Sequence, residues 1–275
     1  MENDSYTSGN QFLNKILTSI FSKSTHQTAN KIMAVTGMVP NSLTEQLQDF
    51  GVRSYLLQSM QKSVVIRTSR IVRSFLIIDY TFFRFIGEET TASGKEVTLT
   101  DDPTWIIDPV DGTLNFVHGY PNACISVALV VNKTLEIGII YNPVCEMLFT
   151  ARKGRGAFLN GAPIKVSKTK ELSRSLITIE FGTKKSKEEI RCIGSAALNM
   201  AMVALGGSDA YFEYGIHAWD YAAGTLLIQE AGGVVIDPAG GPIDLFSCRM
   251  LCASTPTLAQ EISKLIKQHY PTRDL

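Results

Sequence analysis

Trp105-Ile106-Ile107-Asp108-Pro109-Val110-Asp111-Gly112-Thr113 is the stretch on which the fold and chemistry of this chain turn. Its first residues are apolar, as in a buried strand, and they lead into two carboxylates three residues apart. Pro109 fixes its own backbone angle and lacks an amide donor, while Gly112 lets the backbone approach a ligand closely. The spacing predicts a strand end that delivers Asp108, a proline-stiffened turn, and then Asp111. Backbone groups of Val110, Gly112 and Thr113 would face the same space. A hard cation such as Mg2+ takes this mixture of carboxylate, carbonyl and water oxygens, often with substrate phosphate as a further ligand. The same residues also make an ordinary Asp-rich turn, since Asp, Pro and Gly are turn formers.

Two more acidic positions bear on that choice. Glu88 and Glu89 follow Ile86-Gly87 at the apparent end of another strand, and Asp220 follows Gly215-Ile-His-Ala-Trp219 in the first turn of a predicted helix. Each has a plain structural reading as well: a solvated pair at Glu88-Glu89, and a carboxylate favoured by the helix dipole at Asp220.

Around these motifs the chain is punctuated by β-branched runs, CISVALVV, LEIGIIYNPV, MLFTARKG and SLITIEFG. Strands at 123–131 and 135–144 are separated by Asn-Lys-Thr, a loop too short for a parallel crossover, so an antiparallel hairpin is expected. Helical patterns span 195–205, 219–231 and 257–269, the first two closed by Gly-Gly pairs. The expected class is α+β, layered, with mixed sheets. Residues 1–78 lack sustained periodicity and are expected to form a divergent segment, partly disordered or irregular helix, ahead of a domain at 79–275.

Lys+Arg and Asp+Glu number 26 each, and charged residues make up 19% of the 275, which excludes a nucleic-acid-coating or disordered class. Five cysteines without CxxC spacing argue against a disulfide framework or zinc knuckle. No signal or membrane-spanning pattern is visible, so a soluble, cytoplasmic protein is expected. Cys124 and Cys192 are expected in or near the core, His217 and Trp219 in packing, and Lys184–Lys187 in a solvated loop.

GEE at 87–89, WIIDPVDGT at 105–113 and GIHAWD at 215–220 together resemble the signature motifs of the inositol monophosphatase family. The similarity runs from about Phe85 to the C-terminus through NFVHGYP, ARKGRGAFLNG, GSAALNM, GGSDAYFEYG and EAGGVVIDPAGGPIDL. It implies a layered αβαβα sandwich of the sugar-phosphatase type that hydrolyses myo-inositol monophosphate. Glu88, Asp108 and the Val110 carbonyl would bind one Mg2+, and Asp108, Asp111 and Asp220 a second. A third, loose ion would rest on Glu88. Glu88, Asp111 and Thr113 would be catalytic, with Thr113 and Glu88 orienting water and the Gly112 and Thr113 amides holding phosphate. Glu213, Ala196 and Asp220, with Gly194 and Ser195, would face the inositol hydroxyls. A carboxylate at Glu213 suits a polyol monophosphate and disfavours a second phosphate. The resemblance also implies lithium inhibition and a homodimer, with no nucleic-acid or membrane partner.

The chain departs from that pattern twice. The family's upstream DLVTxxD segment, whose second aspartate bonds the motif threonine, has no counterpart, since Asp79 is the one acid between Gln58 and Tyr80. Between Phe181 and Arg191 a short polar run stands in place of a loop, helix and strand. Two alternatives follow: a phosphatase for another sugar or nucleotide phosphate, or a non-catalytic metal-binding paralogue that pairs with an intact subunit.

Overall fold

Residues 83–88, 98–180 and 193–274 are described by a computed structural model, all within one unit, Asp49–Leu275. The β-branched runs form a seven-stranded sheet whose spatial order follows the chain. Its strands are β1 (Arg84–Gly87), β2 (Thr104–Asp111), β3 (Cys124–Val131), β4 (Thr134–Asn142), β5 (Met147–Arg152), β6 (Ala157–Leu159) and β7 (Ala162–Ile164). β1 lies parallel to β2, and every later neighbour is antiparallel. The expected β3–β4 hairpin is present, with a loop one residue shorter than Asn-Lys-Thr. Asn132 and Lys133 both take positive φ, 49° and 57°, as a two-residue turn matched to strand twist requires. β4 stops at Asn142 because its side chain accepts from the Val144 and Cys145 amides and donates to the Pro121 carbonyl.

A second sheet has the order β10-β11-β9-β8, from β8 (Ile177–Ile179), β9 (Ala210–Tyr214), β10 (Val234–Ile236) and β11 (Arg249–Ala253). Between the sheets lie α2 (Ala196–Leu205) and α3 (Ala218–Glu230), which follow the short α1 (Thr113–Val117). α2 and α3 are buried nearly all round, which is why their sequences are apolar on every face. α4 (Pro256–Leu265) covers the outer side of the second sheet through Leu258, Ala259 and Ile262. Thr255 caps it by accepting from the Leu258 amide, and Pro256 opens its first turn. The helix ends four residues before the expected His269. The resulting order of sheet, helix pair, sheet and helix gives four layers of the αβαβα sandwich. The other outer helical layer expected from the resemblance, with the expectations for residues 1–78, Asp79, Glu89, Cys192 and 181–191, falls outside the described residues.

Small residues set how closely the layers meet. A Cβ on Gly138 of β4 would stand 2.6 Å from the Ala223 carbonyl oxygen of α3. One on Gly224 of α3 would meet Met200 Cβ of α2 at 2.7 Å. At the far end of α3, Glu230 accepts from the amides of Gly154, Arg155 and Gly156 at 2.7, 3.1 and 2.8 Å, which gives the ARKGRG turn its role. Gly138→Ala is therefore expected to lower unfolding free energy by about 1–3 kcal/mol through overpacking. Gly241→Ala, with no heavy atom within 4 Å of the added Cβ, is expected to stay near wild type in the same denaturant titration.

Candidate metal centre and substrate wall

Two carboxylates three residues apart in a regular strand point to opposite faces, because side chains alternate with a period of two. β2 escapes this rule at a bulge. Asp108 pairs with Ser126 and Asp111 with Cys124, so three steps along β2 match two along β3. The extra residue brings both carboxylates to one side. Pro109 sits inside the bulge, where its missing amide costs no ladder bond. The strand thus continues through Asp111, in place of the turn expected after Asp108. Gly112, at φ 80° and ψ 39°, then turns the chain into α1.

The third carboxylate comes from the other side of the interface. Asp220 occupies the third position of α3, and its Oδ2 accepts from the His217 amide at 2.7 Å. Single carboxylate oxygens of Asp108, Asp111 and Asp220 all lie within 4.8 Å of one another. Glu88 follows β1, whose Gly87 pairs with Ile107, and it is exposed; its charge is nonetheless felt at Asp108.

Burial raises the pKa of Asp108 well above the usual carboxylate range, and the charges of Asp111, Asp220 and Glu88 push it further, against one bond from the Val110 amide at 2.8 Å. Asp111 is also raised by burial, partly offset by the Ser195 hydroxyl, the Ala197 amide at 2.8 Å and the Cys124 thiol at 3.6 Å. Asp220 is raised well above its ordinary value by burial and by Asp111, offset by the His217 amide and a bond with Asp108. Among the described residues no lysine or arginine forms an ion pair with any of the three. Uncompensated buried charge of this kind either binds protons or takes a cation. An all-oxygen donor set of carboxylates fits a hard divalent ion.

The expected substrate wall is more heavily engaged. Ser195 caps α2 by accepting from the Leu198 amide at 3.2 Å and donates its hydroxyl proton to Asp111. Gly194, at φ 75°, packs against the Asn115 side chain. Ala196 begins α2 and is buried. Thr113 donates to the Val110 carbonyl at 3.0 Å. Glu213 is buried on β9, which excludes an exposed strand-end glutamate, and it accepts from the Tyr211 hydroxyl. Burial pushes its pKa up to about 8, with Glu180 and Asp111 adding to the rise.

Two residues have site roles that sequence reasoning missed. Asn115, in NFVHGYP, donates to the carbonyls of Asn122, Ile193 and Gly194 and ties α1 to the substrate wall. Glu180, at the end of ITIE, accepts from the Gly194 amide and the Asn199 side chain. A polar residue within an otherwise apolar run was the available signal for each. His217 stacks on Trp219, 4.6 Å between ring centroids, in agreement with a packing role. It also pairs with Asp274 at 2.6 Å, and that bond, followed by one from Cys248, raises its pKa to about 10. Cys124 is buried beside Asp111, as expected of a near-core thiol.

Comparison with known proteins bears on the sequence and the fold. The profile described as "Inositol monophosphatase family" matches residues 68–270. Inositol monophosphatase 1 of Bos taurus is 42% identical over 234 residues, covering 77% of this chain and 84% of that protein. An inositol monophosphatase structure from Anabaena (Nostoc) sp. PCC 7120 superposes with a TM-score of 0.64 at 32% identity, covering 78% of this chain and 88% of that one. SaIMPase-II of Staphylococcus aureus, with inositol monophosphate bound, gives a TM-score of 0.68 at 25% identity over 88% of this chain and 92% of its own; a 2'AMP-bound form gives 0.67. In sequence and fold, this chain belongs to the inositol monophosphatase family of phosphatases.

Proposed function

We propose that this protein hydrolyses myo-inositol monophosphate to myo-inositol and phosphate with Mg2+, two or three ions per subunit. The observation that carries the reading is the convergence of Asp108, Asp111 and Asp220 without a balancing cation among the described residues. These three would hold one ion; Glu88, Asp108 and the Val110 carbonyl would hold another, with Glu88 alone serving a looser third. Bound Mg2+ supplies charge against the phosphate and lowers the pKa of coordinated water.

The chain's own residues position the rest. Asp111 is fixed from two sides by Ser195 and the Ala197 amide, so the start of α2 sets its direction. Thr113 and Glu88 orient the attacking water, and the Gly112 and Thr113 amides receive phosphate oxygens. Burial raises the Glu213 pKa to about 8, which favours its protonated form near neutral pH, so that it can donate to as well as accept from polyol hydroxyls. Its suitability for a polyol then rests on hydrogen bonding and not on the negative charge expected from the sequence. The Gly194–Ala196 segment, with Asp220, forms the opposite side of that polyol site. The inositol monophosphate complex of SaIMPase-II supports this substrate class, and family membership supports lithium sensitivity and a homodimer.

A second reading is favoured by Thr113. Its hydroxyl proton goes to the Val110 carbonyl, and no upstream aspartate of the family's pattern is present in the sequence to receive it. On this reading the chain binds metal without turnover and pairs with an intact relative. Coexpression with a full-length relative followed by sizing tests it: a mixed dimer supports pairing, and separate elution of the two chains removes it. The 2'AMP complex of SaIMPase-II also keeps nucleotide monophosphates among the substrates to be assayed.

Phosphate release from myo-inositol 1-phosphate is expected to require Mg2+ and to fall to background in Asp111→Asn. No release from folded wild-type protein would favour the non-catalytic reading. Glu213→Ala is expected to raise KM for inositol phosphate about tenfold, the worth of one or two lost hydrogen bonds. Glu213→Gln, a neutral isostere, should stay within about threefold at pH 7. An unchanged KM in Glu213→Ala would point to a different sugar or nucleotide phosphate.

A further inference from the structure

Away from the carboxylate centre, three residues from distant parts of the chain converge: His217 before α3, Cys248 before β11, and Asp274 near the C-terminus. One ligand atom from each lies within 4.8 Å of the other two. His217 Nδ1 and Asp274 Oδ1 are 2.6 Å apart, and Asp274 Oδ2 also accepts from the Ala218 amide at 3.2 Å. Cys248 and Asp274 are buried, while the His217 side chain is 46% exposed and leaves a path from solvent.

We propose that His217, Cys248 and Asp274 form a second metal site, for zinc or a zinc-like divalent ion, which fastens the C-terminal segment to the start of α3. The donor set decides the ion class. Thiolate, imidazole and carboxylate together suit zinc and its neighbours, whereas Mg2+ and Ca2+ prefer oxygen alone. Zinc bonds of about 2.0–2.3 Å in tetrahedral directions place ligand atoms roughly 3.2–3.6 Å apart. The cluster needs only a small widening of the His217–Asp274 pair and an approach of the Cys248 thiol. Water entering past His217 completes four-coordination.

The backbone already presents these side chains. Cys248 has φ 55°, a conformation uncommon for a residue with a Cβ, and sits after a turn closed by the Ser247 amide and the Asp244 carbonyl. The Sγ has a weak partner there, the Phe246 carbonyl at 3.9 Å. The C-terminal segment is brought to the site by the Asp274 amide bonding the Phe246 carbonyl and by Arg273 pairing with Asp244 at 2.6 Å. On binding, the Cys248 thiol proton and the proton between Nδ1 and Asp274 leave to solvent, and the ligand bonds replace them. Because the His217 amide also bonds Asp220, an ion here steadies the turn that supplies the third carboxylate of the main centre.

Cobalt(II) is the probe, because a thiolate ligand gives it an intense near-ultraviolet charge-transfer band that oxygen ligands do not. The full chain is titrated with Co2+ under excess Mg2+, which occupies the carboxylate centre. The expected result is one such band per chain, displaced by Zn2+, absent in Cys248→Ser and present in Cys124→Ala. The Cys124 control is needed because that thiol borders Asp111 at 3.6 Å. Asp274→Asn should weaken Co2+ binding about a hundredfold, at the upper end of what loss of even an outer-shell partner costs. It also serves as the second variant should Cys248→Ser fail to fold. No band in the wild type, a band that survives Cys248→Ser, or one lost in Cys124→Ala would overturn the proposal.

Discussion

Mutual repulsion among Asp108, Asp111 and Asp220 is the constraint around which the rest of the molecule is arranged. One oxygen from each lies within 4.8 Å of the other two, and burial raises all three pKa values. Folding brings like charges together in a region of low dielectric, so the surrounding structure must hold them there. The Val110 amide bonds Asp108, Ser195 and the Ala197 amide bond Asp111, and the His217 amide bonds Asp220. Each of these partners is a donor, and together they do not cancel what burial and mutual repulsion cost the ionised carboxylates. Under the proposed function, a divalent cation offsets that cost.

The scaffold's unusual features trace back to positioning those groups. The β2 bulge places two carboxylates on one side, with proline at the position where its missing amide does no harm. Gly138 and Gly224 allow α3 to lie close to the sheet and to α2, bringing Asp220 toward β2. Glu230 and the Gly154–Gly156 amides secure the other end of the same helix. Asn115 joins α1 to the Ile193 and Gly194 backbone, so the segment that follows Asp111 and the segment that leads into α2 are one connected unit.

Much of this was legible in the sequence, because strand and helix periodicities and the three acidic motifs are local signals. The β3–β4 hairpin and the starts of α2 and α3 follow from the periodicities, and the grouping of Asp108, Asp111 and Asp220 follows from the resemblance of the motifs to the inositol monophosphatase signatures. What local pattern did not carry was pairing across the fold. Pro109 between two aspartates has the look of a turn, and only its register against Ser126 and Cys124 makes it a bulge. Ser195 belongs by motif to the substrate wall, yet its hydroxyl is bonded to an aspartate 84 residues away. Glu213 is raised by burial and by Glu180 and Asp111, which only tertiary structure assembles. The His217–Asp274 pair spans 57 residues and has no local signature.

The central claim is that the buried carboxylates are balanced by a divalent ion, and thermal stability measures it directly. Carboxyl groups whose folded pKa is raised bind protons more tightly when folded, so their contribution is fully present below about pH 4, the ordinary carboxylate range, and is lost as pH rises through the folded values. Glu213 extends that window to about pH 8. The measurement is the Tm of metal-stripped protein at pH 5 and pH 8, with and without Mg2+, for wild type and Asp108→Asn. The account predicts a lower Tm at pH 8 than at pH 5 without metal, a larger Mg2+ gain at pH 8, and loss of most of that gain in Asp108→Asn. A wild-type Tm indifferent to Mg2+ at pH 8, or an equal Mg2+ gain in Asp108→Asn, would contradict it.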